Sequence, residues 1–122
     1  MSDGTAAGTE RPTGDPDVVD RPAEHRYVVR AGHAVAGAAE YRRRGERVVF
    51  THTLVDPAYE GRGLGSRLVQ AALDDVRGQG ATVVPICPFV AAWIRDHPGY
   101  ADLVDERSRH LLAGDTPTAY TS

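Results

Sequence analysis

The chain has 122 residues and a mass of 13.1 kDa, a net charge of −3 at pH 7, one cysteine, and no apolar run long enough to span a membrane. These values allow a single domain with a modest core, and they exclude an intrachain disulfide and a cysteine-rich metal centre. We therefore expect no metal, no membrane partner, no nucleic-acid partner and a cytoplasmic location. All 14 basic residues are arginines, which suggests a GC-rich bacterial genome.

The two ends of the chain differ in composition from its middle. Residues 1–24 are rich in Gly, Thr, Pro and Asp and carry six acids against two arginines, so this segment alone has a charge of −4 and the remainder is near +1. With few large apolar side chains, this segment is predicted to be a disordered acidic leader. Residues 25–105 form the predicted domain. Residues 106–122 are predicted to be a loose tail, which begins with the helical stretch RSRHLLA.

Three short runs that follow the leader have the composition of β-strands. They are rich in β-branched residues or alternate in polarity, and they lie at residues 26–32, 34–45 and 46–56. Because the connections are only one to three residues long, the three strands are predicted to form an antiparallel meander.

The second half of the predicted domain alternates between helix and strand. Apolar residues recur every four positions from Leu64 to Val76, which predicts an amphipathic helix that ends at the GQG of residues 78–80. A buried strand is predicted at 81–87, a short helix at 89–97, and a turn or strand at 98–104. The β-α-β unit is long enough for a right-handed parallel crossover, so the fold class is α/β with a mixed sheet.

A glycine-studded turn separates the third strand from the first helix. Gly61, Gly63 and Gly65 stand at every second position there. The turn is either a simple connection between strand and helix or a phosphate site, because glycines allow a phosphate to approach the backbone and free N–H groups at a helix start attract anions. The turn lacks the lysine of a Walker loop. It also lacks the third glycine of a dinucleotide fingerprint, because Ser66 occupies that position.

The sequence THTLVDPAYEGRGLGSRLVQAAL resembles the acetyl-coenzyme A signature of the GNAT superfamily of N-acetyltransferases. Glu60 opens the motif where Gln or Arg is usual. Together with PICPFVAAWIRDHPGYADLV, the motif is similar to the small single-domain "acetyltransferase, CG" type, over about residues 26–105. The resemblance implies a compact fold in which an antiparallel meander is followed by β-α-β-α. It also implies that acetyl-CoA is the cosubstrate. The backbone of Leu54 and Val55 would then hold the pantetheine arm. The pyrophosphate would be held by the turn, at Gly61, Arg62, Gly63, Leu64, Gly65 and Ser66.

Two residues are candidates for the chemistry of acetyl transfer. His52 lies mid-strand in FTHTL. It is either a general base, because an imidazole titrates near neutrality as a base must, or a strand histidine that is hydrogen-bonded to a neighbour. Cys87 closes the next strand and is either a proton relay, an acetyl acceptor or a small buried side chain. His97 is expected to cap its helix. Many GNAT enzymes use a tyrosine on this helix as the acid. No tyrosine occurs in residues 89–97 here, where Trp93 or Ile94 stands near that place, and Tyr100 lies beyond the helix.

The resemblance implies transfer of an acetyl group to an amine, carried by a small molecule or a protein. It also implies an open acceptor site, because larger members place two helices between the first two strands. The alternative is a CoA-binding or protein-interaction module without turnover. Arg42, Arg43 and Arg44 are expected to be a solvated strand end, with contact to the 3'-phosphate of the coenzyme or to an acidic partner as the alternative. The sequence gives no indication of oligomeric state.

Overall fold

The computed structural model describes residues 16–112, which form a five-stranded mixed sheet and two α-helices. The strands and helices are, in chain order, β1 (Asp17–Arg21), β2 (Arg26–Ala31), β3 (Ala34–Arg44), β4 (Arg47–Val55), α1 (Leu64–Gly78), β5 (Thr82–Pro85) and α2 (Pro88–Asp96). Short 3-10 helices lie at Pro22–Glu24, Pro57–Tyr59, Pro98–Leu103 and Glu106–Leu112.

The strands follow one another across the sheet in chain order. The pairs from β1 to β4 are antiparallel, and β4 pairs in parallel with β5 through the crossover helix α1. The predicted α/β fold, meander and parallel crossover are therefore confirmed. The segment after α2, predicted as a turn or strand, is a 3-10 helix followed by a single parallel bridge between Val104 and Val83.

The prediction that residues 1–24 form a disordered leader is wrong for the end of this segment. Residues 17–21 form strand β1 and pair with β2. Two acids that suggested disorder have partners there. Tyr41 donates a hydrogen bond from its hydroxyl to Asp20 (2.6 Å), and Arg30 forms an ion pair with Asp17 (2.6 Å). These partners lie in other strands, so the local composition could not indicate them. Residues 1–15 lie outside the described part of the chain.

The predicted loose tail also begins too early. Residues 106–112 form a 3-10 helix in which Ser108 is buried, and Leu112 packs against the core. The preceding residue, Asp105, donates its N–H to Val83 O of β5 (2.9 Å). This hydrogen bond attaches the segment to the sheet edge. The remaining residues, 113–122, lie outside the described range.

Both helices and one face of the sheet form a single hydrophobic core. Leu64, Leu68, Leu73 and Val76 of α1 are buried, in agreement with the predicted apolar stripe. Helix α2 adds four buried residues, Val90, Ala91, Trp93 and Ile94. The face of the sheet that contributes Tyr27, Val29, Tyr41 and Phe50 to this core is called the inner face below, and the opposite face is called the outer face.

Candidate functional site

A cleft opens where β4 and β5 diverge. Strand β5 ends at Pro85, opposite Phe50, whereas β4 continues to Val55. Cys87 N donates to Phe50 O (2.8 Å) and closes the cleft at this end. Among the described residues, 16–112, residues 51–55 therefore have no strand partner on the β5 side. An open strand edge of this kind can pair with an extended ligand that carries amide groups.

A β-bulge in β4 lies at the closed end of the cleft. Glu40 of β3 pairs with His52 and the next residue, Tyr41, pairs with Phe50, so Thr51 is the extra residue. Bulges change the direction of a strand and redirect its side chains. After the bulge, Thr53 and Val55 face the inner side, and His52 and Leu54 face the outer side.

The glycine turn places the N-terminus of α1 at the open end of the cleft. No side chain of the described residues caps this helix end. Gly61 and Gly63 have positive φ angles of 84° and 72°, and Gly63 is the N-cap of α1 without a side-chain cap. The first helical hydrogen bond runs from Arg67 N to Gly63 O (3.1 Å). The N–H groups of residues 64–66 precede this bond and have no partner within the helix, so the turn has the donors that an anion requires.

The three glycines of the turn serve different purposes. A Cβ on Gly61 or Gly63 would meet no atom within 4 Å, so these positions face open space. A Cβ on Gly65 would lie 2.9 Å from Phe89 Cζ of α2. A side chain at Gly65 would therefore contact the far end of the Phe89 ring, which is partly exposed and can move aside. This contact is not visible in the spacing of the motif.

Exposed apolar side chains surround the cleft. Leu54, Ile86 and Phe89 are 53%, 55% and 43% exposed, respectively. Large apolar residues are rarely this exposed without a partner when they lie together. Their position beside the open edge of β4 fits a ligand with an aliphatic portion.

Cys87 lies at the closed end of the cleft. It is the N-cap residue of α2, it is only 3% exposed, and its Sγ lies 3.3 Å from Thr53 Oγ1. Thr53 was not singled out from the sequence, because an isolated threonine in a strand is the ordinary occupant of such a position. The contact gives the thiol a polar partner within an otherwise apolar core.

His52 is exposed and faces the side of the sheet opposite to Thr53. The structure therefore does not bring His52 and Cys87 together, since Cys87 contacts Thr53 on the inner face. Glu40 is the cross-strand neighbour of His52 on the outer face. The two predicted chemical residues thus belong to different sides of β4.

The aromatic residues of and after α2 are engaged with α1. Trp93 donates its indole N–H to Ser66 Oγ (2.7 Å) and stacks on His97, with ring centroids 3.8 Å apart. His97 Nδ1 donates to Trp93 O (2.7 Å), which confirms its predicted role as a helix cap. Tyr100 donates a hydrogen bond from its hydroxyl to Asp74 on α1 (2.8 Å). This hydrogen bond is the largest of the effects that raise the pKa of Tyr100 above its usual value. Tyr100 is therefore bonded about 15 Å along α1 from the glycine turn, rather than at Cys87.

The three consecutive arginines lie at the other end of the sheet. Arg44 pairs with Arg47 at the start of β4, and Arg43 donates to the side chain of Gln79 after the end of α1. All three arginines are exposed, and they line a cavity of about 500 Å³ with Pro22, His25 and Tyr41. This position, remote from the glycine turn, argues against contact with a phosphate bound at that turn.

Two buried tyrosines on the inner face of the sheet donate hydrogen bonds to carboxylates. Tyr27 donates to Asp75 of α1 (2.7 Å), and Tyr41 donates to Asp20 of β1. Burial is the main cause that raises the pKa of both phenols, and the hydrogen bonds to the carboxylates add to it. These pairs join α1 and β1 to the middle of the sheet and therefore have a structural role.

Within residues 16–112, no helix is long and apolar enough to cross a bilayer, and no group of three or more His, Cys, Asp or Glu residues is arranged to hold a metal ion.

Comparison with known proteins assigns this arrangement to a family. Residues 26–103 match the family model described as GCN5-related N-acetyl-transferase. The N-alpha-acetyltransferase RimI of Mycobacterium tuberculosis is 43% identical over 61 residues, which cover 47% of this chain and only 39% of the relative. The NMR solution structure of a GCN5-like protein from Staphylococcus aureus, proposed to be an N-acetyltransferase, superposes with a TM-score of 0.58. The superposition covers 73% of this chain and 87% of that one, and at 18% identity it supports the fold alone.

Proposed function

The chain belongs to the GCN5-related N-acetyltransferase family, and from this we propose that it binds acetyl-CoA in the cleft beside β4 and transfers the acetyl group to an amine. One observation carries the proposal. Two sets of backbone groups that have no partner within residues 16–112, the open edge of β4 and the start of α1, lie at one place in the matched segment. A ligand with amides at one end and phosphates at the other complements both sets.

The proposed contacts of acetyl-CoA are mainly with the backbone. The amides of the pantetheine arm pair with the open edge of β4 at Val55, and the exposed Ile86 and Phe89 cover its aliphatic portion. The backbone carbonyl of Leu54 faces β3, so Leu54, which was also predicted to hold the arm by its backbone, contributes its exposed side chain instead. The pyrophosphate accepts hydrogen bonds from the N–H groups of Gly61 to Ser66. Gly63 supports this assignment, because the space that its side chain would fill is open.

The reaction requires two proton movements. The neutral amine nitrogen attacks the thioester carbon, a C–N bond forms, the C–S bond breaks, and the thiolate of coenzyme A leaves. The nitrogen loses a proton and the thiolate gains one. The protein therefore needs a group that accepts a proton on the acceptor side and a group that delivers one at the sulfur.

We assign these two roles to the two sides of β4. His52, exposed on the outer face, accepts the proton of the attacking amine. Cys87 and Thr53, 3.3 Å apart at the closed end of the cleft, relay a proton to the leaving thiolate. The alternative is a covalent route, in which the Cys87 thiolate takes the acetyl group first and the amine then removes it. The burial of Cys87 and its contact with Thr53 favour the relay.

The acceptor is proposed to be an amine of a small molecule or a protein. RimI is described as an N-alpha-acetyltransferase, so a peptide with a free α-amine is the first acceptor to test. The two-residue turn between β2 and β3 leaves this side of the sheet without the helices of larger family members, which supports an open acceptor site. We also propose a cytoplasmic location, where the free thiol of Cys87 stays reduced.

Release of free thiol from acetyl-CoA tests the proposal. The protein is incubated with acetyl-CoA and one acceptor in each reaction. The acceptors are a peptide with a free α-amine, a polyamine and a small monoamine. We expect thiol release above the enzyme-free rate with at least one acceptor. Binding of acetyl-CoA without release with any acceptor supports the module without turnover, which the absence of a tyrosine on α2 favours. No binding at all overturns both.

A further inference from the structure

The side chain of Trp93 reaches from α2 to the first turn of α1. Its indole Nε1 donates to Ser66 Oγ at 2.7 Å, and the indole is 6% exposed whereas Ser66 is exposed. An indole N–H is a donor only, so the serine oxygen must be the acceptor in this hydrogen bond. The proton of the Ser66 hydroxyl is therefore left to donate elsewhere.

Ser66 occupies the part of α1 where donors have no partner. Its backbone N–H lies before the first helical hydrogen bond, together with those of Leu64 and Gly65. A serine in a helix otherwise tends to bond to nearby backbone groups and so satisfies its own hydroxyl locally. The hydrogen bond from Trp93 restrains the Ser66 oxygen. The Ser66 O–H is then available as a side-chain donor beside the backbone N–H donors of the turn.

Trp93 is itself held on several sides. Its ring stacks on His97 with an interplanar angle of 11°, and Tyr100 contacts it edge-on with centroids 4.9 Å apart. His97 is fixed in turn by its hydrogen bond to Trp93 O. An indole restrained in this way presents its N–H in one direction, as a positioning residue must.

We propose that Trp93 is a positioning residue that orients the Ser66 hydroxyl to donate a hydrogen bond to a phosphate oxygen of coenzyme A. This inference depends on the proposed function. It also gives a role to one of the two residues, Trp93 and Ile94, that stand near the place of the tyrosine acid in many related enzymes. An indole N–H does not release its proton at working pH, so position 93 here serves binding rather than proton delivery.

Calorimetry with two ligands and a double-mutant cycle tests this role. Trp93→Phe and Ser66→Ala are each expected to weaken coenzyme A binding by about tenfold, the scale of one hydrogen bond to a charged group. The double variant is expected to be no weaker than either single variant, because both changes remove the same bond. Pantetheine, which lacks the pyrophosphate, should bind all variants equally. Tyr100→Phe keeps the indole N–H and its acceptor and serves as the control, with unchanged affinity for both ligands.

Fluorescence supplies a second measurement that does not depend on the Trp93 variant folding. Trp93 is the only tryptophan of the chain, so inorganic pyrophosphate should change its emission in the wild type and not in Ser66→Ala. Additive losses in the double variant, or equal losses for pantetheine, overturn the positioning role while leaving the proposed function in place. A wild type that does not bind coenzyme A overturns both.

Discussion

Thr53 Oγ1 and Cys87 Sγ lie 3.3 Å apart and connect the open part of β4 to the start of α2. The contact lies where β4 and β5 separate, at the closed end of the cleft. Cys87 is otherwise surrounded by the hydrophobic core. The proposed relay and the packing of the core therefore share one residue, and their contributions can be separated only by measuring rate, affinity and stability together.

Replacing Cys87 by alanine is expected to lower kcat by about 100-fold or more, the usual contribution of a positioned proton donor. The affinity for coenzyme A should change less than about twofold, because the proposed binding contacts come mainly from the backbone of residues 55–66. Steady-state kinetics and calorimetry on the folded variant measure the two effects. Full activity of Cys87→Ala would show that the residue is only part of the core.

Mass spectrometry after incubation with acetyl-CoA alone separates the two chemical routes. The relay predicts no adduct on Cys87. An acetyl group on Cys87 that is lost when an amine is added would establish the covalent route instead.

His52→Ala is expected to reduce acetyl transfer and to remove the acidic limb of the pH–rate profile, because a histidine base is inactive when protonated. Coenzyme A affinity should be preserved, since the side chain lies on the outer face. His33→Ala is the matched control, because His33 is exposed in the turn between β2 and β3. An unchanged pH profile in His52→Ala would exclude His52 as the base.

Gly63→Ala is expected to abolish measurable coenzyme A binding while costing only about 1 kcal/mol of stability from the left-handed backbone. Gly45 is the matched control, because it also has a positive φ (65°) and open space around its Cβ position. Gly45→Ala should lose similar stability and bind normally. Gly65→Ala differs from both, because Gly65 has no positive φ and its methyl group comes closest to the end of the partly exposed Phe89 ring, so its melting temperature should change little. Normal coenzyme A binding by Gly63→Ala would contradict the phosphate site.

Asp20→Ala tests whether β1 belongs to the folded domain. It leaves the buried Tyr41 hydroxyl without an acceptor, which costs about 1–3 kcal/mol and lowers the melting temperature by about 5 °C or more. Asp17→Ala, which removes only the exposed ion pair to Arg30, should have little effect. Deleting residues 1–24 should destabilise the protein at least as much as Asp20→Ala. A deletion variant with unchanged melting temperature would show that β1 is dispensable.

The buried tyrosines predict a loss of stability at high pH. Because burial raises the pKa of Tyr27 and Tyr41 above the ordinary value of 10.0, the unfolded chain releases these protons first as the pH rises. The stabilisation is therefore complete below about pH 10 and declines above it, by about 1.4 kcal/mol per pH unit for each tyrosine. Urea unfolding at pH 9 and pH 11 measures the slope. Tyr27→Phe should reduce the slope, and an equal slope in the variant would refute this explanation.

Elements with a strong internal pattern were predictable from the sequence. The stripe from Leu64 to Val76 repeats with the period of a helix, and the β-branched runs of β2 and β4 have the composition of strands. Strand β1 was missed because its sequence, DVVDR, has only two apolar residues. Its stability depends on Tyr41 and Arg30, which lie 21 and 13 residues away from their partners.

The parts of the candidate site that consist of backbone groups were predictable from the sequence. The positions and contacts of its side chains were not. The glycine spacing locates the start of α1. The sides on which His52 and Thr53 lie depend on the bulge at Thr51, which shifts the alternation and leaves no trace in composition. The bond from Trp93 to Ser66 joins residues 27 positions apart and follows from the packing of α2 on α1.

Strand β1 also has a consequence for association between molecules. Within residues 16–112 it is the outermost strand on its side of the sheet, and three of its five residues, Asp17, Asp20 and Arg21, are charged. A short, charged outer strand is a poor template for pairing with a strand of another molecule. Without it, β2 would become the outer strand, and its consecutive buried residues Tyr27, Val28 and Val29 would lie at a free edge. Among the described residues, strand β1 therefore covers the edge of β2 with a short, charged strand that is unsuited to pairing with another molecule.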